Sequence, residues 1–165
     1  MRIGCVAFVG RDNDPLALRV FTQDGIAIDA LDIIDDSPSS SQLIRYHFLT
    51  YCSLDMVDER HKQPGQTWSA PPKKSMYLGY LCPQEEFHMY AYVTNTYTKI
   101  IVALEEAESS PPELQTFCEQ AHHLFVNQLQ NPFRKVHPGW RVTSPRFSEE
   151  LDKLVTIFNR KSVQS

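Results

Sequence analysis

The sequence predicts an α+β domain built on one five-stranded antiparallel sheet with helices packed on it, in the order β-β-α-β-β-β-α-α. Three observations predict it. Tyr77 to Leu104 holds three runs rich in aromatic and β-branched residues, separated by joints far too short for a parallel crossover. Ile3 to Thr22 reads as a hairpin, two apolar runs around a dense turn. Apolar residues recur at helical spacing in Gln42 to His61, Leu114 to Phe125 and Phe147 to Phe158.

Each element has its own warrant. Ile3 to Gly10 and Leu16 to Thr22 flank Arg11-Asp12-Asn13-Asp14-Pro15, whose residues favour turns. Gln23 to Ser41 carries Gly25, Pro38 and three consecutive serines and is expected to be a long acidic loop, with Ile26 to Ile34 able to add strand in part. Gln42 to His61, free of Gly and Pro, is expected to wind about five helical turns before Pro64-Gly65. Gln63 to Ser75 is a polar loop. The strands Tyr77 to Cys82, Phe87 to Thr94 and Lys99 to Leu104 then form a meander through Pro83 to Glu86 and Asn95 to Thr98. Ser110-Pro111-Pro112-Glu113 has the form of a capping box with Pro set for a first helical turn. Leu114, Phe117, Cys118, Ala121 and Phe125 follow on one face, and Asn131-Pro132 ends the helix. Ser144-Pro145 starts the last helix, with Phe147, Leu151, Leu154, Val155 and Phe158 on one stripe. No repeat and no second core interrupt residues 1–165, so one domain is expected.

Composition narrows the class of function. With 165 residues, 42% of them hydrophobic, the chain can bury a sizeable core. A net charge of -4 gives no basis for nucleic-acid binding. The charge is uneven: Val20 to Ile44 has five Asp and no Lys or Arg, Ile100 to Pro132 has five Glu and no Lys or Arg, and Arg134, Lys135, Arg141 and Arg146 cluster without a carboxylate between Gln120 and Ser148. Ordinary solvated faces account for this, and so would steering toward a charged partner or membrane surface. Cys5, Cys52, Cys82 and Cys118 have no paired spacing, which suits free thiols in a reducing compartment. The apolar run Ile3 to Val9 is too short for a signal peptide, no segment has the length of a membrane span, and the Ser162-Val163-Gln164-Ser165 end is not a prenylation box. Membrane contact is therefore expected to be peripheral.

No catalytic, cofactor-binding or metal-binding residue is predicted. Cys118 with His122, and Glu119 with His123, sit one turn apart and would supply half of a zinc site, yet nothing supplies the other half. Asp12-Asn13-Asp14 opens like a calcium loop, but Ala17 and Gln23 stand where Gly and Glu are needed, so a turn is the reading. Phosphate-cradling and nucleophile-elbow motifs are absent.

The first helix instead carries apolar residues on two sides. At about 100° per residue, Ile44, Phe48, Tyr51 and Cys52 fall together, while Leu43, Tyr46, Leu54 and Val57 fall elsewhere. A helix lying on a sheet needs one such stripe. A second implies a cover from the chain's own loops or from another protein. Asp55 lies within the Ile44/Phe48/Tyr51 stripe, where a carboxylate costs stability unless it is paired. A bond within the chain and a partner's donor at an interface are both open for it.

Four motifs carry a family resemblance: Asn13-Asp14-Pro15-Leu16; Leu54-Asp55-Met56-Val57-Asp58-Glu59; Tyr77-Leu78-Gly79-Tyr80-Leu81 with Tyr90-Ala91-Tyr92-Val93-Thr94-Asn95; and Asn131-Pro132-Phe133 followed by Ser144-Pro145-Arg146-Phe147. In order and spacing over nearly the whole chain they resemble the longin-like fold of sedlin and of the small subunits of trafficking protein particle (TRAPP) complexes. Gln23 to Ser41 and Lys62 to Ser75 depart by their length. The resemblance implies a non-catalytic adaptor subunit of a vesicle-tethering complex in transport between the endoplasmic reticulum and the Golgi and within the Golgi. It implies as partners a large specific subunit, other small subunits including longin-type ones and, indirectly, a Rab GTPase whose nucleotide exchange is served by other subunits. It places the protein in the cytoplasm and peripherally on endoplasmic reticulum and Golgi membranes. It also makes Asp55 the contact residue of the first helix, with Phe48, Tyr51 and Val57 as apolar neighbours.

Two other classes share parts of this pattern. A free-standing longin-type regulatory domain of a coat adaptor or SNARE would have the same elements, although a SNARE would continue into heptads and an anchor. A small enzyme or ligand-binding domain would use the meander to wall an apolar pocket with convergent polar groups.

Overall fold

The computed structural model describes residues 2–22, 25–31, 38–62, 76–105, 112–133 and 140–163. Strands β1 (Arg2–Val9), β2 (Pro15–Phe21) and β3 (Ala27–Asp29) precede helix α1 (Pro38–Lys62). Strands β4 (Tyr77–Gln84), β5 (Phe87–Val93) and β6 (Lys99–Glu105) follow, then α2 (Pro112–Leu129) and α3 (Pro145–Val163). The strands form one antiparallel sheet in the order β3-β2-β1-β6-β5-β4. β3 and β4 lie at opposite edges, so the segment that includes α1 connects one edge to the other.

Two expectations are corrected. The sheet has six strands rather than five, because Ala27–Asp29 pairs with Arg19–Phe21. Three half-buried residues at a sheet edge give too short an alternation to declare a strand on their own. Helix α1 begins at Pro38 rather than Gln42. Proline suits a first helical position, where its missing N–H removes no bond, and this outweighs the loop preference of Ser39, Ser40 and Ser41. The serine of the α2 capping box and most of Lys62 to Ser75 lie outside the described residues.

Both faces of the sheet are covered. Cys5, Ala7, Val9, Leu18, Val20, Met89, Ala91, Val93, Ile101 and Ala103 pack with Leu43, Leu49, Leu54 and Val57 of α1. Val6, Phe8, Tyr90, Tyr92, Ile100, Val102 and Leu104 pack with α2 and α3 through Leu114, Phe117, Phe125, Phe147, Leu151 and Val155. A central strand buried on both sides needs apolar residues at every position. Hence Ile100 to Leu104 is unbroken rather than alternating.

Glycines stand where the backbone leaves its regular path. In β1 the register against β6 shifts between Ile3 and Cys5, a bulge centred on Gly4 that turns Ile3 to the same face as Val6 and Phe8. A Cβ on Gly4 would lie 3.0 Å from Phe87 Cε1. The Ile3 N–H donates to Asn159 Oδ1 at 2.8 Å, so α3 stabilises the bulge. Gly79, with φ at 75°, sits at the first of two register shifts in the edge strand β4. Bulges of this kind twist an edge away from pairing with another chain.

Candidate functional site on helix α1

Helix α1 is fastened to the sheet from several sides. Arg45 bridges Glu85 and Glu86 in the β4–β5 turn. His47 Nε2 lies 3.0 Å from the Ala30 carbonyl just after β3. Near the C-terminal end of the helix, the Arg60 guanidinium donates to the carbonyls of Tyr80 and Leu81. Lys99 and Asp58 form an ion pair at 3.0 Å, and Lys99 Nζ also donates to Asn13 Oδ1. Asn13 has φ at 63°, a conformation that asparagine tolerates better than most residues. The turn it belongs to closes through Gly10 N–H donating to the Asp14 carbonyl at 2.8 Å.

These ties fix which side of α1 faces out. Leu43, Leu49, Leu54 and Val57 are buried against the sheet, while Ile44 is 66% exposed, Phe48 64% and Tyr51 39%. Cys52 and Asp55 are exposed as well. Positions 44, 48, 51, 52 and 55 make one stripe about 16 Å long, given the 1.5 Å rise of a helix. The two apolar sides read from the sequence are thus one inner and one outer. At the outer stripe's middle, the Tyr51 hydroxyl reaches the Asn13 carbonyl at 3.5 Å. Burial raises the Tyr51 pKa, Asp14 adds to the rise and Arg141 opposes it, so the phenol stays neutral beside a mixed-charge rim.

The sequence-predicted contact residues divide. Phe48, Tyr51 and Asp55 share the outer stripe, and no ion pair or hydrogen bond holds the Asp55 side chain among the described residues. Asp55 is therefore solvated in the free chain and carries no burial cost there. Val57 corrects the expectation: it is 0% exposed in the inner core and presents nothing to a partner. Ile44 occupies the outer stripe instead. The Lys99–Asp58 pair was not legible as a contact, because a lysine opening an apolar strand shows no partner until the topology brings α1 across it. Its signal was a charge adjoining five residues of pure core.

Other candidate chemistry does not assemble. Burial pushes the Cys118 thiol up, and His122 Nδ1 lies 3.3 Å from the Tyr92 hydroxyl. Among the described residues no group of three or more His, Cys, Asp or Glu is placed to hold a metal ion, and no helix is long and apolar enough to cross a membrane.

The sequence profile of the family described as Sedlin matches residues 8–157. The chain belongs to the sedlin family. A relative from Dictyostelium discoideum is 34% identical over 155 residues, 93% of this chain and 96% of its own length. Relatives from Mus musculus, 27% identical over 92% of this chain and 93% of theirs, and Xenopus tropicalis, 26% identical over 92% and 95%, are equally complete matches. All three are named trafficking protein particle complex subunit 2-like protein. The sedlin-family match spans β2 through most of α3, so the outer stripe of α1 lies inside the shared region.

Proposed function

We propose that this sedlin-family chain is a non-catalytic subunit of a TRAPP vesicle-tethering complex and acts as an adaptor that docks a large subunit onto the smaller ones. The proposal extends to transport between the endoplasmic reticulum and the Golgi and within the Golgi, with the chain in the cytoplasm and peripheral to those membranes through the complex. Rab nucleotide exchange belongs to other subunits in this reading. One observation carries the docking role: the Ile44/Phe48/Tyr51 stripe on a helix whose other side is already committed to the sheet. Burying two large apolar side chains stabilises a complex by about 3–6 kcal/mol before ordering costs. Asp55, exposed and without an ion pair or hydrogen bond among the described residues, extends the stripe with a carboxylate that a partner's Lys or Arg can meet, and such a charge sets register and selects the partner.

The test is purification of the tagged chain from its native cells. Large TRAPP subunits are expected to accompany it. Recovery of the chain alone at stoichiometric purity would sink the adaptor role. Asp55→Tyr is expected to leave the circular dichroism of the isolated chain unchanged and to weaken that recovery. An unfolded Asp55→Tyr chain would make Asp55 structural instead.

A further inference from the structure

Just past the end of α2, Asn131, Pro132 and Phe133 stand out from the surface as a preformed turn. All three are exposed, and Phe133 at 91% is well beyond the next large apolar side chain described, Ile44 at 66%. A single exposed apolar residue is ordinary, but the backbone that carries this one is held in place. Asn131 Oδ1 accepts the Phe133 N–H at 3.0 Å, which closes an Asx turn. Pro132, between them, fixes its own φ and biases Asn131 toward extended backbone. The base of the turn is anchored as well: the Gln130 N–H donates to the Val126 carbonyl at 3.0 Å, and Leu129 packs against the core.

We infer that Asn131-Pro132-Phe133 is a recognition turn, read by a different protein that has an apolar pocket for one aromatic ring and acidic residues at the pocket's rim. Phe133 keeps 91% of its surface in solvent in the folded chain, so the fold leaves the ring to another molecule. Charge names the kind of partner. In the sequence Arg134 and Lys135 follow the turn directly, and no carboxylate stands between Gln120 and Ser148, which matches a rim of Asp or Glu. The same charges disfavour a second copy, because two such turns meeting about a two-fold axis would oppose like charges. A ring from one copy entering a pocket elsewhere on the next would make a head-to-tail contact with no closed dimer. A lipid surface is disfavoured by size: one ring is less apolar surface than a single acyl chain, which itself holds a protein to a membrane only marginally. A pocket gains more from the turn, since its backbone is ordered before binding, and full burial of the ring strengthens the contact by about 10- to 100-fold.

A photo-crosslinking amino acid in place of Gln130, exposed beside the turn, leaves the turn itself intact and tests this. In the full-length chain, irradiated in a lysate of its own cells, it is expected to join position 130 to a different protein, at a site where apolar residues adjoin Asp or Glu. A peptide of the six residues Gln130 to Lys135 is expected to compete for that product. The peptide with Phe133→Ala should not compete, and the peptide with Asn131→Ala should need about five- to tenfold more, for loss of the hydrogen bond that sets the turn. In the chain itself Phe133→Ala should remove the product and leave thermal unfolding unchanged, since the ring lies outside the core. A product only with a second copy or with lipid, a site without acidic residues, a product that the peptide leaves unchanged, or no product at all would overturn the proposal. A destabilised Phe133→Ala chain would overturn it too, by making the ring part of the fold. The peptide competes at the turn alone, so its result stands whether or not α1 docks a large subunit.

Discussion

Lys99 Nζ lies 3.0 Å from Asp58 Oδ1, joining the first residue of β6 to the last third of α1 across the inner core. Lys99 is almost wholly buried and Asp58 is partly solvated, so the two halves of the pair are not equivalent. Removing the carboxylate leaves a buried ammonium with Asn13 as its remaining described acceptor. Asp58→Ala is expected to cost about 2 kcal/mol, and Lys99→Met, which removes the charge itself, distinctly less. Urea unfolding of both single variants and the double variant checks the order. Lys99→Met should also suppress most of the effect of Asp58→Ala.

Gly79 separates backbone strain from packing. Its φ of 75° disfavours other residues, yet a Cβ there would meet nothing closer than Tyr77 Cε1 at 3.8 Å. Gly79→Ala is therefore expected to cost about 1 kcal/mol, all of it conformational, and Gly79→Asn less. Equal unfolding midpoints for Gly79→Ala and the natural chain would contradict this.

The α2–β5 contact has a definite pH response. Burial holds the His122 imidazole below its ordinary value of 6.5, and His123 lowers it further, while the Tyr92 hydroxyl, which also reaches Met76 Sδ, faces it from β5. The unfolded chain thus binds a proton more readily than the folded one. Its contribution is full above pH 6.5, is lost as pH falls from there toward the lower folded value, and levels off below it. Urea midpoints at about pH 7.5 and about pH 5.5 should differ less in His122→Gln than in the natural chain.

The two sides of α1 should separate stability from assembly. Val57→Ala is expected to cost about 2–3 kcal/mol through the cavity it leaves. Phe48→Asp and Ile44→Asp should change the isolated chain's stability by no more than about 0.5 kcal/mol. Thermal unfolding checks this: a strongly destabilised Phe48→Asp would place the outer stripe in the fold.

Much of this architecture was legible in the sequence because the pattern and the structure share a period. Five strands and three helices follow from runs of aromatic, β-branched and helix-spaced residues, and the inner and outer stripes of α1 follow from winding Leu43 to Val57 at the helical angle. The failures share a cause as well. Ala27–Asp29 is strand only because Arg19–Phe21 offers it an edge, and Lys99 finds Asp58 only through a connection across the sheet. Val57, expected among the contact residues, is set inward by its own position on the helix. Neighbourhood in the sequence does not override the helical angle.

The Ile44/Phe48/Tyr51 stripe is expected to be covered in the assembled protein, and Cys52 is a reporter already within it. In the free chain Cys52 is exposed, whereas Cys5 and Cys118 are buried, with burial pushing both thiols up, that of Cys5 to about 12. Alkylation of the isolated chain should therefore modify Cys52 first and the two buried thiols only on unfolding. The direct measurement is the Cys52 alkylation rate in the complex purified from native cells, followed by mass spectrometry. Docking on α1 predicts that the rate falls to that of the partly buried Cys82 or lower and that complex recovered with Phe48→Asp is scarce. An unchanged Cys52 rate in a complex that contains the large subunits would mean that the outer stripe of α1 stays uncovered and is not the docking surface.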